Sequence, residues 1–294
     1  MNKKITELKN PLSSRLDSMT TTQIIELINR EDKKISLVIK ELIPTISSLI
    51  EQIVKNINNQ GRLIYVGAGT SGRLGVLDAS ECPPTFSAKH SLVIGIIAGG
   101  KKALYKSIEG AEDDLKLASI DFQKYKINKN DTIIGITTSG TTPYVHQFLK
   151  ESKKNGAFTS IITSNKINKE KYIDKKIECI VGPEILTGST RMKAGTATKM
   201  ILNIISTTTM IKLNKVYQNF MVDLKISNNK LTDRAINIVS QITDLSKEKS
   251  QDLIKQANGR VKNAILMHLK NKTYIQSCKI LKKYNGNLRK ALNQ

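Results

Sequence analysis

The sequence predicts an α/β fold: a mostly parallel sheet with helices on both faces, preceded by helices and followed by a small all-helical region. Two observations carry this. Short apolar runs of strand length alternate with helical stretches, the pattern of βαβ units. After about residue 225 the strand-like runs stop, and only short amphipathic patterns remain.

In chain order, residues 21–59 carry apolar side chains three and four apart, through Ile35, Ile39, Leu42, Ile46, Leu49 and Ile53. That period is helical, and Pro44 is expected to kink or restart the helix. Residues 62–66 read as a short buried strand. Further strand-like runs fall at 92–98, 132–137, 158–163 and 177–181. Helical stretches are expected at 101–119, 142–155 and 192–213. Amphipathic patterns follow near 232–243, 250–256, 259–267, 274–283 and 287–292, with Gly259 and Gly286 as breakers. The expected division is N-terminal helices over 1–60, a sheet domain over 61–228 and a helical domain over 229–294. In sheets of this kind ligands bind at the carboxyl ends of the strands.

Composition narrows the function. The 294 residues are 39% hydrophobic and 24% charged, as in a globular protein. Trp is absent and aromatics make up 4%, against a stacking platform for single-stranded nucleic acid. The net charge of +22 comes from 39 Lys and only 8 Arg, scattered along the chain. Arg is the residue for bidentate phosphate and base contacts, so no nucleic-acid partner is expected. A basic surface still attracts anionic substrates. Cys82, Cys179 and Cys278 form no CxxC pair, and His90, His146 and His268 share no metal-ligand spacing. No metal or cofactor is expected. No signal peptide or membrane-length apolar run is legible, so a cytoplasmic location is expected.

Five motifs stand out. Gly67-Ala68-Gly69-Thr70-Ser71-Gly72 follows a strand. It fits a dinucleotide fingerprint, but the second strand runs out into Ala98-Gly99-Gly100 without the carboxylate that a ribose needs. Hydroxyls and backbone N–H groups at a helix start suit a terminal phosphate; a tight turn with a helix cap is the plainer reading. Thr137-Thr138-Ser139-Gly140-Thr141-Thr142-Pro143 repeats the arrangement after another strand, and two such loops favour a shared phosphate cradle. Glu81 precedes Cys82-Pro83-Pro84, expected to be a stiff turn that fixes its direction. Glu109-Gly110-Ala111-Glu112-Asp113-Asp114 is an acidic knot in a basic chain. Finally, Gly182–Ala197 is a polar loop in which Ser189, Thr190, Arg191 and Lys193 either face an anion or serve only as cap and packing.

Gly61–Phe86, Glu109–Asp114 and Gly182–Ala197 together resemble the N-acetylmuramic acid 6-phosphate etherases, and the resemblance covers nearly the whole chain. Related sugar-isomerase (SIS) domains share the loops but not Glu81-Cys82-Pro83-Pro84-Thr85. The glucokinase regulatory protein is a more distant relative that binds sugar phosphates without turning them over, and a non-catalytic sensor is the alternative reading.

The resemblance implies an SIS-type, flavodoxin-like parallel sheet with a small UBA-like helical C-terminal domain. It implies homodimers with sites near the subunit interface and no metal or nucleotide. The reaction implied is cleavage of the D-lactyl ether of N-acetylmuramic acid 6-phosphate to N-acetylglucosamine 6-phosphate and D-lactate. Carried over by position, Glu81 and Glu112 are the catalytic pair. Glu81 is taken as the acid, kept neutral by burial, and Glu112 as the base. Gly69, Thr70, Ser71, Ser139, Gly140, Thr141, Thr142, Ser189, Thr190 and Lys193 fall on the substrate and its phosphate. One departure is visible. The family pattern Ser-Gly-Arg-Thr-Pro reads Ser139-Gly140-Thr141-Thr142-Pro143 here, so the second loop lacks its Arg.

Overall fold

A computed structural model describes residues 4–224, 226 and 228–293. Helix α1 (Thr21–Asp32) starts with a capping box between Thr20 and Gln23. Helix α2 (Lys34–Asn58) follows directly. The interruption lies at Lys33 and not at Pro44, which is inside α2. A proline removes one backbone bond; here the buried stripe Ile35, Ile39, Ile46, Leu49 and Ile53 continues across it.

Five short strands alternate with helices: β1 (Leu63–Gly67), α3 (Gly69–Phe86), β2 (Val93–Ile97), α4 (Leu115–Tyr125), β3 (Thr132–Ile136), α5 (Pro143–Lys154), β4 (Phe158–Thr163) and β5 (Lys175–Glu178). All pairings are parallel, in the order β2-β1-β3-β4-β5. That is the flavodoxin-like order expected, and the continuous apolar runs fit strands covered on both faces. Helix α6 (Lys193–Lys212) follows. Two expectations shift. The last strand begins at Lys175, two residues ahead of the apolar run at 177. The helix expected over 101–119 is instead a 3-10 turn, Gly100–Leu104, then the acidic turn, then α4 capped by Asp114. Gly110 in left-handed backbone, at φ 74, turns the chain between them.

The remaining helices are α7 (Asn229–Thr243), α8 (Lys247–Gln256), α9 (Val261–Leu269), α10 (Tyr274–Lys283) and α11 (Leu288–Leu292). Asn228, Ser246, Thr273 and Asn287 cap four of them with side-chain oxygens.

The chain packs as two units. One comprises residues 1–80 and 91–206, the other 81–90 and 207–294. The first has its core on the sheet, around Ile64, Val66, Ile133, Phe148 and Ile161. The second has its own core, around Val239, Ala264, Ile265 and Leu288. Inside it Asp223 accepts from both Lys215 and Lys262, each at 3.0 Å.

Candidate functional site

The loops after β1, β3 and β5 lie at the carboxyl edge of the sheet. From β1 the chain crosses to β2 on one side, while β3 lies on its other side. This is the switch point at which a crevice opens in such sheets.

The first loop is shaped by two glycines packed on each other. A Cβ on Gly67 would stand 2.7 Å from the Gly72 nitrogen, and one on Gly72 would stand 2.8 Å from the Gly67 oxygen. No larger residue fits either place, so the turn closes tightly and α3 starts at once. Its first N–H groups and the half-buried Thr70 and Ser71 are then presented at the positive end of the helix dipole.

The second loop is a hydroxyl network. Thr137 Oγ1 lies 2.7 Å from Thr142 Oγ1 and 3.3 Å from Ser139 Oγ. Ser139 Oγ lies 3.2 Å from Thr141 Oγ1 and also accepts from the Thr141 N–H. Gly140 turns the loop at φ 74. Its carbonyl is held by His146, whose Nε2 lies 2.8 Å away, while Nδ1 lies 3.0 Å from the Tyr172 hydroxyl. A carbonyl only accepts, so Nε2 carries a proton.

The structure brings the motifs together. Ser71 Oγ lies 3.5 Å from Thr138 Oγ1, which joins the first loop to the second. The Thr70 methyl lies 3.8 Å from where a Cβ on Gly195 would stand, and the Thr190 oxygen lies 3.5 Å from the same place. Thr70, Ser71, the second loop and the start of α6 therefore share one neighbourhood. Ser189 and Thr190, both half-buried, form a tight turn leading into α6.

Lys193 is placed differently from expectation. Its Nζ donates to Glu31 at 2.6 Å and to the Pro183 carbonyl at 2.9 Å, and its side chain is 2% exposed. The ammonium is sealed in an ion pair and does not face an open anion site. Of the two readings offered for this loop, cap and packing describes Lys193. Glu184, which sequence reading passed over, accepts from the N–H groups of Lys193 and Ala194 and so caps α6. Burial pushes its carboxyl above the ordinary range, against those two bonds. At Glu31 burial also acts upward, but Lys193 and Lys34 outweigh it and hold the carboxyl below the ordinary range. Glu184 lies nine residues before Lys193, outside the reach of a local cap pattern, and gave no signal. Glu31 lies 162 residues from Lys193 and gave none.

The acidic motifs also differ from expectation. Residues 83 and 84 do not make a turn: α3 continues through both prolines to Phe86. Glu81 is thus carried on a helix, beside the buried Cys82. Its side chain and that of Glu112 are both exposed in the single chain, so burial within one chain does not shield either. Glu112 is positioned through its backbone: its carbonyl accepts from the Tyr144 N–H at 2.9 Å, just after the second loop. Tyr144 is itself buried, and its hydroxyl donates to Asp121 at 2.6 Å. Asp78, three residues before Glu81, is buried and accepts from Asn203 and Ser206. Burial raises its carboxyl, against those bonds.

Among the described residues no cluster of three or more His, Cys, Asp or Glu is arranged to hold a metal, and no helix is long and apolar enough to cross a membrane.

Comparison with known proteins gives concordant results. Residues 45–153 match the family model of the glucokinase regulatory protein N-terminal SIS domain, and residues 218–279 match that of its C-terminal lid domain. The chain is 46% identical over 289 residues to N-acetylmuramic acid 6-phosphate etherase 1 of Bacillus licheniformis, covering 98% of this chain and 95% of that protein. It is 48% identical over 290 residues to the etherase of Histophilus somni, covering 98% and 96%. It is 49% identical over 288 residues to that of Clostridium botulinum, again covering 98% and 96%. A solved phosphoheptose isomerase from Francisella tularensis shares the fold, with a TM-score of 0.50 at 14% identity, covering 66% of this chain and all of that one.

Proposed function

Because the chain belongs to the N-acetylmuramic acid 6-phosphate etherase family, we propose that it cleaves the D-lactyl ether of that sugar phosphate by elimination and hydration, with Glu81 and Glu112 as the acid–base pair. The chain is a carbon–oxygen lyase of the SIS fold. The single observation that carries the substrate reading is the meeting of two hydroxyl-rich strand-to-helix loops at Ser71 and Thr138.

The mechanism follows from the substrate. The hydrogen on C2 is acidic only when C1 is an open-chain aldehyde. The Glu112 carboxylate removes that proton, and the electron pair forms the C2–C3 double bond. The C3–O bond breaks, and Glu81 gives its proton to the departing lactate oxygen. An α,β-unsaturated aldehyde remains. Water then adds at C3: the now ionised Glu81 takes its proton, and C2 takes a proton back from Glu112. The atoms balance to N-acetylglucosamine 6-phosphate and D-lactate.

Gly69, Thr70, Ser71, Ser139, Gly140, Thr141 and Thr142 hold the phosphate in this reading, with Ser189 and Thr190 at the edge of the site. Lys193 supports the fold beneath them. Both glutamates are exposed in one chain; the proposal includes a homodimer with the site near the subunit interface, in which the substrate and a second copy cover them during reaction. A cytoplasmic location belongs to the same proposal. The sensor reading draws on the two family models. Retention of both Glu81 and Glu112 favours the enzyme, since a sensor needs no acid–base pair.

The test is incubation with N-acetylmuramic acid 6-phosphate in heavy-oxygen water, with mass spectrometry of both products. Label on the sugar C3 hydroxyl and unlabelled lactate are expected. Label in lactate would mean displacement at the lactyl carbon and would overturn the elimination. No lactate at all would leave the sensor.

A further inference from the structure

We propose that Lys4 is the cation of the phosphate site on the second loop, a residue for which neither the motifs nor the mechanism had a use. The inference rests on the two-loop cradle proposed above. A phosphate monoester carries charge that hydroxyls and N–H groups bind but do not neutralise. Neither 67–72 nor 137–142 contains a basic residue, and Lys193 is sealed against Glu31. The cation has to come from elsewhere in the chain.

Lys4, Lys150 and Lys166 line one cavity with the second loop; Lys150 Nζ lies over the Tyr172 ring, and Lys4 bonds to the loop itself. Lys4 Nζ donates to Thr141 Oγ1 at 2.7 Å. The segment that carries it is clamped. Asn165 Oδ1 accepts from the Ile5 N–H at 2.7 Å, and Asn165 Nδ2 donates to Thr6 Oγ1 at 3.0 Å and to the Thr138 carbonyl at 2.9 Å. Thr6 and Asn165 are both buried. One amide therefore fixes the neighbours of Lys4 and the loop that Lys4 touches. Lys4, Ser139, Gly140 and Thr141 lie on the wall of a single cavity of about 880 Å³, which Lys150, Lys166 and Glu170 also line.

The direction of the hydrogen bonds also suits an anion. An ammonium only donates, so Thr141 Oγ1 accepts from Lys4 and its own proton is free to point at Ser139 Oγ, 3.2 Å away. Ser139 Oγ also accepts from the Thr141 N–H at 3.2 Å. With both lone pairs of Ser139 engaged, its hydroxyl proton points to Thr137 Oγ1, 3.3 Å away, or to a ligand in its place. Lys4 thus does two things: it keeps further N–H bonds of its own for a phosphate oxygen, and it sets the loop hydroxyls as donors. It stands in the part that an Arg at position 141 would otherwise play.

The test titrates inorganic phosphate into folded protein and measures turnover of N-acetylmuramic acid 6-phosphate. Lys4→Met is expected to weaken phosphate binding at least about tenfold, the scale of a lost charged hydrogen bond. KM should rise by a similar factor with kcat within about twofold, since the contact is to a non-reacting part of the substrate. Lys4→Arg should stay near wild type, and Thr141→Arg added to Lys4→Met should restore most of the affinity. Circular dichroism of each variant checks folding. Phosphate binding unchanged in Lys4→Met overturns the assignment. The Thr70→Ala, Ser139→Ala double variant runs alongside. If it loses phosphate and Lys4→Met does not, Lys4 alone is wrong. If neither loses phosphate, the cradle is wrong and the role of Lys4 falls with it.

Discussion

Replacing Lys193 by methionine separates a structural cation from a ligand-binding one. The ammonium is 2% exposed and its partner Glu31 is 3% exposed. Methionine keeps the length of the side chain and deletes the charge. Glu31 would then be a buried carboxylate whose remaining partners among the described residues are Asn10, at 3.0 Å, and Lys34. Breaking a buried pair in this way costs about 3–5 kcal/mol. Lys34 is half exposed and screened by water, so it offsets only part of the loss. The expected destabilisation is therefore about 3 kcal/mol, at the lower end of the buried-pair range. For a domain of this size that lowers Tm by about 6–12 °C, read by calorimetry.

The pH dependence has a definite sign. In the wild type the Glu31 carboxyl lies below its ordinary value of 4.5, so its stabilisation is present above that value and is lost as pH falls through the depressed one. In the variant burial acts with less opposition and the carboxyl rises. The gap between variant and wild type should then shrink as pH falls from neutrality toward the depressed wild-type value. Phosphate affinity of the folded variant should stay within about threefold of wild type, because no contact that binding energy draws on has been removed. An unchanged Tm together with a large loss of phosphate affinity would refute this account and return Lys193 to the ligand.

Glu81→Gln and Glu112→Gln should each lower lactate release at least about a hundredfold, the usual size of an acid–base contribution, with little change in KM; near-normal turnover in either removes that residue from the mechanism. Thr70→Ala with Ser139→Ala should weaken phosphate recognition, each bond to a charged group contributing about 1.5–3 kcal/mol, and should erode discrimination against the unphosphorylated sugar in a titration. Gly140→Ala places a Cβ 2.4 Å from Ile167 Cγ2 in left-handed backbone, so the loop must shift. Both Tm and phosphate affinity should drop, and no change in either would show that the turn is not constrained.

The sheet was legible because its strands are continuous apolar runs of a length only strands take, and four of the five lie where those runs lie. The fifth starts with Lys175 and Lys176, which apolarity alone passes over. The helices of the C-terminal region were legible from their amphipathic patterns and from the breakers Gly259 and Gly286. Residues 101–119 misled because their apolar spacing imitates a helix, while Gly110 in left-handed backbone ends any helix there. The Pro-Pro pair misled in the opposite direction: two prolines suggest a turn, yet α3 holds them. At the site the loops were legible from their hydroxyls and glycines, because that chemistry is local. Lys4 on Thr141, Glu31 on Lys193 and Tyr144 on Glu112 were not. Each joins residues far apart in the chain, and no local pattern encodes which distant charge a loop will meet.

The tether between the Tyr144 N–H and the Glu112 carbonyl has a consequence for how this family diversifies. It is made by main-chain atoms on both sides. Any residue at position 112 keeps it, so under the proposed mechanism a change there alters the reacting group while the backbone stays tied to Tyr144. The route from a catalyst to a binder of the same sugar phosphate is therefore short: one exchanged side chain can silence the chemistry without unfolding the receptor. Selection can keep the binding surface under a new use while discarding turnover, and the passage needs no intermediate that has lost its fold.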